Sequence, residues 1–242
     1  MRTTNFLVPL LMMATLIPNT AQAQTERPWS VSFDAGSQLA VTGDAHGGGS
    51  GTVLTLPTSV TAKSYSDVYG NGFYWAAGLG YRLGSHGELR VAGSYTSKAS
   101  TNLQVGTVAN LPLFAKFDDN KIFGMDFGYR QYLSDGAIKP FVGASVGFAR
   151  VDAINATLTV PAANVTLSNT GFYDSSTVPT FGFAGGVQYH LTDSLAAQVG
   201  VDLRWQNNLA QKEGLAGTGL QTINDESRRW VAPITAGLTL RF

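Results

Sequence analysis

The stretch that most limits what this chain can fold into runs from Arg228 to Phe242. Every second residue from Trp230 onward is apolar or small: Trp230, Ala232, Ile234, Ala236, Leu238, Leu240 and Phe242. Between them stand Val231, Pro233, Thr235, Gly237, Thr239 and Arg241, a smaller and more polar row. A period of two belongs to an extended strand whose faces meet different surroundings. Chain ends fray in water, so a terminal aromatic on such a strand needs an apolar place to sit. A bilayer supplies one.

The same alternation recurs upstream, over residues 29–41, 72–83, 88–96, 123–133, 139–148, 180–191 and 195–205. Three connections are short: Gly84–Gly87, Ser134–Ala137 (an Asp-Gly turn) and Thr192–Ser194. Four are long, over 42–71, 99–120, 152–177 and 206–227. Short turns at one end and long loops at the other predict an all-β fold: an eight-stranded antiparallel transmembrane β-barrel with short periplasmic turns and long extracellular loops. A ten-stranded barrel that used residues 52–63 would need one more short turn, which the sequence lacks.

The charges decide which face is which. Only 13% of residues are charged, and none falls on the apolar rows. The other rows carry Asp34, Arg82, Glu88, Arg90, Asp126, Arg130, Lys139, Asp202, Arg204 and Arg241. A soluble barrel would turn its apolar row inward around a ligand and leave these charges in water. Glycine argues against that. The chain has 28, and Gly78, Gly80, Gly124, Gly128, Gly143, Gly147, Gly182, Gly186, Gly200 and Gly237 share the charged rows. A solvent-facing strand rarely needs glycine, which costs roughly 0.5–1 kcal/mol against Ala. The lumen of an eight-stranded barrel is only wide enough for side chains to fill, and glycine makes room there. We therefore expect Asp34, Arg82, Glu88, Arg90, Asp126, Arg130, Asp202 and Arg204 to be structural lumen charges that pair with one another. Aromatics near the short turns (Tyr81, Tyr129, Tyr189, Phe242) and near the long loops (Trp75, Phe123, Phe181, Trp205, Trp230) would form the two girdles.

Residues 1–23 read as a cleaved address: Arg2, an apolar run from Phe6 to Ile17, Pro18, and the small-x-small triplet Ala21-Gln22-Ala23. The expected domain is then 24–242, close to neutral, with no basic face for nucleic acid. With no cysteine, disulfides contribute nothing to stability. Mean hydropathy is +0.03, too polar for a helical membrane protein and suited to alternating strands.

Together with Lys139–Phe148 and Tyr189–Leu195, these features resemble the small Gram-negative outer-membrane β-barrel proteins, of OmpA/OmpX type and the opacity-like surface antigen superfamily. The resemblance covers nearly all of residues 24–242. It implies that Trp230, Leu238, Leu240 and Phe242 act as the C-terminal insertion signal for the outer-membrane assembly machinery. Leu240 departs from the pattern, which more often has an aromatic there. It also implies an outer-membrane location, surrounding lipid and lipopolysaccharide, an extracellular surface ligand for the loops, and no cofactor. It implies no single function.

Local chemistry adds little. Gly143-Ala-Ser145-Val-Gly147 matches a nucleophile-elbow pattern but lies inside a strand, where no elbow forms. His46, His86 and His190 lack metal-ligand spacing. Gly47–Gly51 reads as a flexible loop tip. Residues 152–177, rich in Thr, Val, Ala and Asn, are expected to extend strands beyond the membrane. Leu103, Val105, Val108, Leu111, Leu113 and Phe114 make the second loop apolar enough to touch lipid, another surface or its neighbours. The expected role is structural or surface-contacting and non-enzymatic. The alternatives are a channel for small or hydrophobic solutes, as in OmpW-type proteins, and a lipid-modifying enzyme using His190.

Overall fold

The computed structural model describes residues 27–53 and 55–242. The address segment, with its cleavage site after Ala23, lies outside them. In chain order the strands are β1 (Trp29–His46), β2 (Gly49–Val53), β3 (Leu56–Val60), β4 (Lys63–Ser64), β5 (Gly72–Leu83), β6 (Gly87–Lys98), β7 (Leu103–Val108) and β8 (Leu111–Phe117). They continue as β9 (Asn120–Tyr132), β10 (Ile138–Val151), β11 (Ile154–Val160), β12 (Val165–Tyr173), β13 (Ser176–His190), β14 (Leu195–Gln206) and β15 (Arg229–Arg241).

Eight of them, in the order β15-β14-β13-β10-β9-β6-β5-β1, form one antiparallel sheet that closes by pairing β15 with β1. Closure leaves no edge for another chain to extend. The ends of the barrel meet at the short-turn side, where Trp29 N donates to the Phe242 carbonyl (3.2 Å) and Phe242 N to the Trp29 carbonyl (3.0 Å). All eight expected strands are present. Residues 52–63 add no barrel-spanning strand: β2 and β3 pair with each other outside it, and β4, which begins at Lys63, pairs only with the far end of β1.

The apolar rows face outward. Phe33, Leu79, Phe127, Val142, Phe183, Val201 and Leu238 are all exposed, while Asp34, Glu88, Asp126 and Arg130 are buried. A belt of large exposed apolar side chains around a polar interior is the arrangement a bilayer stabilises. Toward the long loops, Trp75 contacts Phe33 and Tyr95, Tyr95 contacts Phe123, and Phe181 contacts both Trp205 and Trp230. Near the short turns Trp29 packs on Tyr81 at 4.8 Å.

The long loops are the main departure from the sequence reading. Three of them fold as hairpins, β2–β3, β7–β8 and β11–β12, which join into a second, six-stranded sheet of order β12-β11-β8-β7-β3-β2. Gly49–Gly51, expected as part of a flexible tip, belong to strand β2. Its backbone amides find partners in the β3 ladder. The fourth loop bridges both edges of this sheet. Thr52 N donates to the Thr218 carbonyl on the β2 side, and Lys212 N donates to the Phe172 carbonyl on the β12 side. The result is a collar above the barrel mouth. Val105, Leu113, Phe117, Phe172, Leu220 and Ile223 are buried within it. The apolar second loop therefore satisfies itself against its neighbours. A four-residue helix α1 (Tyr65–Val68), closed by a Ser64–Asp67 capping box, lowers Tyr65 and Val68 into the collar's base.

Candidate functional site

The barrel interior is filled in layers, and strand parity sets them. Nearest the periplasmic end, Glu88 accepts hydrogen bonds from Ser30 (2.7 Å) and Tyr132 (2.6 Å). Arg82 stands 5.6 Å from the Tyr132 ring, without an acid partner among the described residues. Lys139, His190 and Arg241 share this end, and Arg241 donates to Gln188 (2.6 Å). The next layer joins Arg90 to Ser32 (2.7 Å) and Asp34 (3.5 Å), with Gln198 also donating to Asp34. Arg130 donates to Gln198 Oε1 (2.9 Å) and lies 3.9 Å over the Phe141 ring. Above it, Arg204 holds both Asp126 (2.8 Å) and Asp202 (2.5 Å).

All eight expected lumen charges therefore point inward, but only five of them form ion pairs. Glu88 is held by hydroxyls, Arg130 by an amide and a ring, and Arg82 by a ring. An amide or hydroxyl satisfies a buried ion's hydrogen bonds without bringing a second charge out of water, so full ionic pairing is not required.

Some of the inner glycines, Gly80, Gly147, Gly182 and Gly237, make room for charged side chains as expected, while Gly128, Gly143, Gly186 and Gly200 stand against backbone or the Phe141 ring. A methyl group at Gly80 would collide with Glu88 and Ser30, at Gly237 with Asp34, and at Gly186 with the Phe141 ring tip. Two adjoining cavities of about 80 and 70 Å³ lie beside Arg204 and share Arg90, Arg130 and Asp202 in their walls. Each has room for a few waters. Higher still lies a layer the sequence reading missed: Gln38, Lys98, Asn120, Gln206 and Arg229, all buried beneath Tyr65. Lys98 has the parity of Glu88 and Arg90, and Arg229 that of Arg241, so alternation could have found both. Lys98 was lost because β6 runs past the end expected for it, and Arg229 because the alternation was counted only from Trp230. Over this layer sits the apolar collar core.

A closed eight-stranded antiparallel barrel with lipid-facing apolar rows and a charged interior is now established, and residues 7–242 match the family described as outer membrane protein beta-barrel domain. The chain belongs to that family. Comparison with curated proteins gives no match. Among solved structures, this outer-membrane barrel is similar to Neisserial surface protein A, at 16% identity over 88% of this chain and 97% of that one (TM-score 0.47). It is also similar to outer membrane protein OprG from Pseudomonas aeruginosa, at 12% identity over 91% and 100% (TM-score 0.45). A third is the outer membrane protease OmpT from Escherichia coli, at 8% identity over 93% and 99% (TM-score 0.47).

In this outer-membrane barrel the residues considered for catalysis stand apart. Ser145 lies mid-strand between Gly128 and Gly182. His190 Nε2 is buried without a partner among the described residues, beside Arg82, Lys139 and Arg241. No serine is hydrogen-bonded to that nitrogen, so no nucleophile–base pair forms there among the described residues. His86 does bridge Ser85 Oγ (2.6 Å) and Asp135 (3.1 Å), but on two exposed turns, where it clasps one turn to the other. Among the described residues no group of acids and histidines could hold a metal. At the terminus, Leu238, Leu240 and Phe242 face lipid and Trp230 is half-buried against Phe181.

Proposed function

We propose that this barrel is a non-catalytic surface protein whose closed body anchors an external collar for contact outside the cell, with lipid and lipopolysaccharide around it. One observation carries the reading: the interior is occupied from the periplasmic cations to the collar core, so the outward-facing collar is the surface left for function. The eight lumen charges then serve to fill and hold the cylinder. The collar's far end has a character of its own. Each hairpin closes on an aliphatic pair, Val53–Leu56, Val108–Leu111 and Val160–Val165. Leu56, Leu111 and Val165 are exposed there. An apolar tip held on a sheet fits an apolar partner surface.

Planar-bilayer recording tests this. Purified, folded protein should give no openings, and reproducible unitary conductance would defeat the reading. We further propose that the address segment is removed after Ala23, so N-terminal sequencing of outer-membrane material should begin at Gln24. Trp230, Leu238, Leu240 and Phe242 would be the signal read by the assembly machinery. Deleting Phe242 should then lower the amount of protein that reaches the membrane as heat-modifiable barrel.

A second reading rests on a specific feature of the collar. Two apolar cavities, of about 90 and 40 Å³, share Val53, Leu113 and Leu158 and lead from the tip toward His46. They favour capture of a small apolar molecule. Benzene added to labelled protein should shift collar methyl resonances, and unchanged spectra would remove this reading.

A further inference from the structure

The uppermost polar layer differs from those below it in charge balance. In the lower layers Arg204 faces two carboxylates and Arg90 faces one. Here Lys98 is completely buried and Arg229 is 3% exposed, and no carboxylate of the described residues lies within ion-pair distance of either. Both address one ring: Lys98 Nζ is 4.9 Å, and Arg229 Cζ 4.4 Å, from the centroid of Tyr65. Arg229 Nε donates to Gln206 (2.9 Å), yet Arg229 Nη2 and Lys98 Nζ have no hydrogen-bond partner among the described residues.

The backbone has been cleared for these two side chains. A methyl group at Gly72 would collide with the Lys98 stem, and one at Gly43, whose φ is +120°, would stand 2.5 Å from Arg229 Cβ. Tyr65, which covers the layer, is fixed by Asn120 Nδ2 donating to its hydroxyl (2.7 Å). Two like charges sealed together are unfavourable, and attraction to one aromatic face offsets only a small part of that. A water molecule could satisfy their N–H groups but not neutralise them. An anion does both.

We infer that this layer binds a small monovalent inorganic anion of the halide class, seated beside Lys98 Nζ and Arg229 Nη2 under Tyr65. Tyr65 and the collar core lie over this layer and the Arg204 group lies below it, which favours a monatomic anion over a phosphate or an organic acid. Lys98 Nζ has no hydrogen-bond acceptor among the described residues, so its three ammonium protons remain for the anion.

The test uses the full barrel, folded in detergent. The temperature at which its gel mobility converts should rise saturably with sodium bromide replacing sodium gluconate at constant ionic strength. Crystals grown in bromide should show an anomalous peak beside Lys98 and Arg229. In Lys98→Met the bromide response should be lost, with the conversion temperature in gluconate raised because an uncompensated charge is gone. Absence of the peak from the unmodified protein overturns the inference, as does an equal bromide response in Lys98→Met. Should that variant fail to fold, the anomalous peak decides alone.

Discussion

Arg204 shows how much a single side chain holds in a lumen this narrow. Its guanidinium lies between Asp126 and Asp202, and the three come from β9 and β14. Arg204→Met would leave two carboxylates facing each other away from bulk water. Removing one partner of such a group costs about 3–5 kcal/mol, and urea unfolding of the refolded barrel should show a loss of that size. Glycine gives a matched pair. Gly237→Ala drives a methyl into Asp34 and the Phe33 carbonyl, whereas a methyl at Gly93 on the lipid face meets nothing within 4 Å. Overpacking should cost Gly237→Ala about 1–3 kcal/mol in the same assay, with Gly93→Ala near neutral. At this scale the sequence disclosed direction but not partnership. Parity put Glu88, Arg130 and Arg204 inside. It could not say that Glu88 meets Tyr132 or that Arg130 meets Gln198, because those partners stand 44 and 68 residues away: the first pair meets once β6 pairs with β9, the second only once the sheet curls across the lumen.

Elements follow a similar rule. The barrel strands were legible because each has its own two environments, lipid and lumen, written along its length. Strands β7, β8, β11 and β12 carry a fainter pattern, since their second face is an interior that exists only once three hairpins have met. The run from Val105 to Phe117 therefore looked merely apolar. His46, where β1 leaves the barrel to pair with β4, makes the collar sensitive to pH. It packs on Phe117 (5.9 Å) and Phe172 (6.0 Å), and its Nε2 has no partner among the described residues. Burial depresses its pKa below the ordinary 6.5, chiefly by desolvating the cation. The unfolded collar thus binds a proton more readily than the folded one. The stability His46 allows is fully present above pH 6.5 and falls as the pH drops toward its folded value. Protection factors of the β8 and β12 amides, which allow for the intrinsic slowing of exchange toward low pH, should fall between pH 7 and pH 5 while those of the barrel strands stay level. His46→Gln should flatten that response, and an equal response in the variant would show that another group is responsible.

For the whole molecule, the question is which of two closures matters, the ionic layers inside the cylinder or the collar above it. The collar core covers the mouth, so it resembles a lid, and a lid invites the idea of a gate. The layers beneath it make a different case. Arg204 with its two acids, Arg90 with Asp34, and Arg130 with Phe141 cross the cylinder independently of any collar residue. They are built on strands paired along their length by the barrel's own ladders. Replacing residues 103–117 with a short Gly-Ser link removes β7 and β8 and opens the collar sheet at its centre. The barrel should still fold, giving the heat-shifted gel band, because none of its eight strands pairs with those residues. It should remain electrically silent in planar bilayers. Only a trimmed barrel that also carries Arg90→Ala and Arg204→Ala should admit ions, and its openings should be brief, since Arg130 and Phe141 still narrow the path. If trimming alone produced steady conductance, the collar would be the true seal, and the protein would have to be understood as a gated pore.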